Sequence, residues 1–110
     1  MQVPKRMLIH TIDYCEYISE DRDHVKQFKS KQTIKNVRVD FNKRQNVNKV
    51  EQTNENAATV FCYAQHTRPF VGFKKNSKIE FDGDVMIIKD VIPIYEPKRN
   101  KLFGYELELV

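Results

Sequence analysis

The chain has 110 residues, 31 % of them charged and 40 % hydrophobic, with a formal charge of +4. That length fits one domain, residues 1–110, with one modest core. No run approaches the roughly 20 apolar residues of a membrane span, and MQVPKR at the start lacks the apolar stretch of a signal peptide, so the chain reads as one made in the cytoplasm with no membrane contact.

The elements follow in chain order. Residues 7–18 are rich in β-branched and aromatic side chains and read as a first strand, closed by the charged turn Glu20-Asp21-Arg22-Asp23-His24. Residues 33–41 form a second strand, with Val37, Val39 and Phe41 on one face and Arg38 and Asp40 on the other. Residues 42–56 (NKRQNVNKVEQTNEN) break the pattern: Asn-rich, two isolated valines, no Gly and no Pro. Such a strip cannot bury enough apolar surface to offset its own ordering. A loop of this length in a compact domain is functional or disordered, and composition alone leaves both open.

Residues 57–64 form a third strand carrying Val60, Phe61 and Tyr63. Lys78-Ile79-Glu80-Phe81, then Asp82-Gly83, then Val85-Met86-Ile87-Ile88 is a hairpin, because glycine tolerates the positive φ of a tight primed turn. The second arm is apolar on successive residues, which predicts cover on both faces, one of them supplied by a partner chain. Pro93 cannot donate to a ladder and marks an edge, a bulge or the strand's end. Glu96-Pro97-Lys98-Arg99-Asn100 is a polar turn, after which Phe103, Tyr105, Leu107 and Leu109 alternate with Glu106 and Glu108. About six short strands and no helical period predict an all-β barrel or sandwich.

Candidate chemistry is sparse. In Cys62-Tyr63-Ala64-Gln65-His66 an extended chain puts the thiol and the imidazole about 13 Å apart at ~3.3 Å per residue, beyond the reach of a nucleophile–base pair. Cys15 and Cys62 lack CxxC companions, and His10, His24 and His66 are scattered, so no metal or other cofactor is expected and both thiols are expected to be reduced. No glycine-rich phosphate loop exists, and the carboxylates fall on wet strand faces or in turns. No catalytic residue is assigned. The stretch Arg68-Pro69-Phe70-Val71-Gly72-Phe73-Lys74-Lys75 mixes bases and aromatics, as single-strand nucleic-acid binders do, but its rings can equally plug the end of a barrel.

From Val60 onward the sequence resembles the head-closure, or stopper, minor capsid proteins of tailed bacteriophages. The likeness rests on Phe61-Cys62-Tyr63-Ala64-Gln65-His66-Thr67, Pro69-Phe70, Phe73-Lys74, Ser77-Lys78-Ile79, Phe81-Asp82-Gly83, Val91 to Pro97, and Tyr105-Glu106-Leu107-Glu108. Upstream it extends through residues 4–10 and 34–40. Where such proteins carry Lys-Glu-Tyr after the turn glycine, this chain has Asp84-Val85-Met86.

The resemblance implies a small antiparallel β-barrel with one long loop between its second and third strands. It also implies a twelve-fold ring in the virion neck, docked below portal and adaptor proteins and above tail-completion or tail proteins. Genomic DNA would pass through without sequence readout. The loop is then the candidate gate, with Lys43, Arg44, Gln45, Asn46, Asn48, Lys49, Glu51, Gln52 and Asn54 as its channel-facing set. Phe70, Phe73, Val85, Met86, Ile88 and Tyr95 are the expected contacts to neighbouring subunits. The rival readings are a single-strand nucleic-acid-binding barrel and a tail or baseplate module.

Overall fold

The computed structural model describes residues 3–41 and 57–110. Eight strands are present among them: β1 (His10–Cys15), β2 (Tyr17–Glu20), β3 (Lys26–Phe28), β4 (Gln32–Phe41), β5 (Ala58–Tyr63), β6 (Lys78–Phe81), β7 (Asp84–Glu96) and β8 (Lys101–Leu109). Six close into an antiparallel barrel in the order β1-β4-β5-β8-β7-β6, with β1 pairing β6 to seal it. β2 and β3 form a separate two-stranded sheet. The all-β barrel expected from the sequence is therefore present, and residues 42–56 fall between its second and third strands in chain order, β4 and β5.

Alternation explains most of the core. β5 sends Ala58, Val60 and Cys62 inward, and β8 sends Phe103, Leu107 and Leu109. β4 contributes residues of both parities, Ile34 and then Val37 and Val39. A bulge makes this possible: Thr11 pairs with Lys35 while His10 pairs with Val37, so Asn36 is the extra residue, held at φ 62. One added residue flips the face of everything after it.

The Asp82-Gly83 turn is as expected, with φ 51 and 86 at its two central residues. Within the single chain the second arm is covered on its inner face, and the outer face is the one for which the sequence predicts a partner. Val85 is 58 % exposed while Met86 and Ile88 are buried, so β7 alternates like its neighbours, and Ile87 lies half-buried on the outer face.

The strand expected over residues 7–18 is two strands broken at Glu16. There the chain leaves the barrel, Tyr17 N–H donates to Ser77 Oγ (2.9 Å), and β2 pairs with the very short β3. β7 continues through Pro93 to Glu96, and past Ile88 its only strand partner among the described residues is β8. On the edge facing away from β8, the Val91 N–H is taken by Asp90 Oδ1 at 3.0 Å, and Pro93, two residues on, has no N–H. At the other end of β8, Val110 and Ile87 exchange two backbone bonds of 2.9 and 3.0 Å.

Candidate functional site

The connection from β5 to β6 decides what the basic-aromatic stretch does. Phe73 is 8 % exposed and meets Tyr14 edge-on at 5.0 Å and Tyr105 edge-on at 5.8 Å, while Phe70 stacks on Tyr105 at 5.5 Å. The rings plug one end of the barrel. Two buried hydroxyls fasten the plug. Thr67 Oγ1 accepts the Tyr63 N–H (2.9 Å) and donates to Asn36 O (2.8 Å). Ser77 Oγ accepts the Tyr17 N–H and lies 3.4 Å from the Tyr14 hydroxyl, which in turn accepts the Lys74 N–H at 3.0 Å. Burial pushes the Tyr14 phenol above its ordinary pKa.

Neither member of the Cys–His pair is placed for chemistry. The Cys62 side chain points into the core, and burial pushes its thiol far above the ordinary range, which disfavours the thiolate. The chain does turn after Tyr63, where His66 N–H donates to Tyr63 O, but the His66 ring goes elsewhere: its Nε2 donates to Val3 O at 2.8 Å. With Val3 N–H on Gln65 Oε1 (3.4 Å) and Leu8 buried, this contact straps residues 3–8 to the barrel, where they border a groove with Arg38, Asp40, Phe61 and Tyr63.

The rim at the opposite end holds the last residues of β4 and the first of β5. β4 and β5 are in register to their ends, Phe41 opposite Ala58, so the two ends of the 42–56 connection lie side by side. Around them, Phe81 packs against Phe41 at 5.9 Å and against His10 at 5.0 Å, and His10 Nδ1 accepts the Val39 N–H at 2.9 Å. The nine gate candidates from Lys43 to Asn54 lie outside the described residues.

The six expected contact residues divide. Phe73, Met86 and Ile88 belong to the subunit's own core, which corrects their assignment to neighbours: a side chain filling the barrel has no surface left to offer. Phe70 is half-buried against Tyr105. Val85 and Tyr95 are 58 % and 52 % exposed, at the two ends of β7.

Phe41, 45 % exposed, and Ile92, 36 % exposed, are further apolar residues at the surface and were not anticipated. Phe41 ends an alternating run whose earlier members face inward, but at its level the barrel has already reached its rim. Ile92 pairs with Glu106 on the outer face of the sheet, a pairing that a long-range register alone reveals. Among the described residues, these side chains leave apolar groups exposed on the outside of the barrel.

No curated protein and no solved structure gives a significant match to this chain. The family model described as minor capsid protein matches residues 4–109. With that match running over nearly every residue of the β-barrel, the chain belongs to the minor capsid protein family, structural components of the phage particle.

Proposed function

We propose that this minor capsid protein is a head-closure component of the head–tail connector. Copies form a twelve-fold ring beneath portal and adaptor proteins, close the DNA channel after packaging, and present the surface on which tail-completion or tail proteins dock. The observation that carries this reading is the position of the long polar connection. The strand residues that flank it, Phe41 and Ala58, lie opposite each other on the rim of a closed barrel, as the last pair of β4 and β5. A closed barrel is a stiff mount, and many copies in a circle would bring equivalent strips together over one opening.

The composition of the strip suits a gate that first lets DNA pass. Each neutralised phosphate adds salt-dependent affinity. Lys43, Arg44 and Lys49 are offset by Glu51 and Glu55, with Asp40 just before them. Such a strip lets the duplex slide, and its amides can bond to neighbouring copies when the channel shuts. The single-strand-binding alternative loses its support, because the Phe70 and Phe73 rings are taken by Tyr105 and Tyr14.

The test is deletion of residues 44–54. The expected result is a subunit with the same melting curve that yields heads leaking their DNA. Heads that keep their genome with the deleted subunit in place overturn the gating role.

A further inference from the structure

The two ends of β7 carry surfaces of opposite chemistry. At its start, the β6–β7 turn exposes Asp82 and Asp84 beside Val85. At its far end, the β7–β8 turn exposes Lys98, Arg99 and Lys101 beside Tyr95, where Glu96 stands 3.9 Å from Arg99 Nε and pairs across the strands with Lys101, so three cations face one carboxylate in this turn. Ten strand positions separate Val85 from Tyr95, about 30 Å along the chain at ~3.3 Å per residue. One subunit therefore cannot bring the two patches together.

We infer that these patches are the two halves of a head-to-tail contact between copies of this chain. The basic turn and Tyr95 of one copy seat on the acidic turn and Val85 of the next. This occupant is chosen by complementarity of both kinds: cations meet carboxylates, and an exposed aromatic meets an exposed valine. A contact between two different patches of one protein is heterologous, and heterologous contacts generate rings when the rotation closes. The inference rests on the head-closure reading for its biological setting, but the pairing itself is a property of the isolated chain.

Cysteines placed at the two patches test it. Cys15 and Cys62 are buried and stay silent. Under mild oxidation at high subunit concentration, the Val85→Cys/Tyr95→Cys chain gives a ladder of linked oligomers, whereas neither single variant gives linked dimers beyond background.

Charge reversal then probes the pairing. In the same cysteine background, Lys98→Glu/Lys101→Glu reduces linking roughly tenfold or more, because like charges now face each other. Asp82→Asn/Asp84→Lys does the same; asparagine is chosen because position 82 has φ 51. Mixing the two reversed chains restores linking, since the negative turn of one meets the positive turn of the other.

No ladder, a ladder indifferent to the reversals, or dimers from a single-cysteine chain overturns the pairing. So does a Lys98→Glu/Lys101→Glu chain that loses affinity for duplex DNA while linking normally, which would assign the basic turn to phosphates. The two proposals fail separately. A charge-dependent ladder with heads that keep their DNA after loop deletion sinks the gate alone, and leaking heads without the ladder sink the pairing alone.

Discussion

Two stretches of this chain look alike on paper and end in opposite places. Residues 68–75 and residues 91–99 both combine proline, aromatic or branched apolar residues, and a basic pair. In the first, Phe70 and Phe73 turn inward and close the barrel. In the second, Ile92 and Tyr95 stay at the surface on a hairpin arm. The difference lies in what distant parts of the chain provide. Residues 68–75 find Tyr14, Tyr105 and two buried hydroxyls waiting at an open barrel end. Residues 91–99 have β8 on one side and, among the described residues, no other strand partner. Composition sets what a segment is able to bury, and topology decides whether a place exists to bury it.

The contrast is broken most directly by Phe73→Ala. Removing a buried phenyl ring costs about 3–5 kcal/mol in stability, read as a lower denaturation midpoint with an unchanged slope. A loss under about 1 kcal/mol would mean that the ring is not a core residue.

Thr67→Val keeps the shape but leaves the Tyr63 N–H and the Asn36 carbonyl without their shared hydroxyl. We expect about 1–3 kcal/mol lost, together with faster hydrogen exchange at the Tyr63 amide. Ser77→Ala removes the acceptor of the Tyr17 N–H, a half-buried site, and should cost about 1 kcal/mol, with the exchange change confined to β2 and β3. Tyr95→Ala should shift stability by no more than about 0.5 kcal/mol while weakening self-association in sedimentation. Equal stability losses from Phe73→Ala and Tyr95→Ala would erase the distinction between plug and arm.

Much of the barrel was legible because its strands obey a short-range rule. β5 and β8 alternate inward and outward residues, and Asp82-Gly83 supplies the left-handed backbone that a two-residue turn requires. The features that escaped depend on partners far away in sequence. Asn36 becomes a bulge only because β1 shifts register beside it, and Lys26-Gln27-Phe28 is too short to signal a strand before Tyr17 is known to lie opposite Phe28.

Val85 to Ile88 are four apolar residues in a row, and this run hides an alternation that only burial reveals, with Val85 left at the surface of the single chain. The same limit split the candidate contact residues. Val85 and Tyr95 stand out at the surface, but hydrophobicity alone did not separate them from Phe73, Met86 and Ile88, which the core consumes.

The outer edge of β7 has a consequence for any protein that must gather into a defined number of copies. An exposed strand that offers free amide hydrogens is a template for endless sheet growth, and such growth ends in fibres. Here the carboxylate of Asp90 occupies one amide and the pyrrolidine ring of Pro93 abolishes the next on that side. The chain can therefore be crowded at high local concentration with less risk of zipping backbone to backbone along this edge, and a ring of the kind proposed above would have to be set by side-chain contacts.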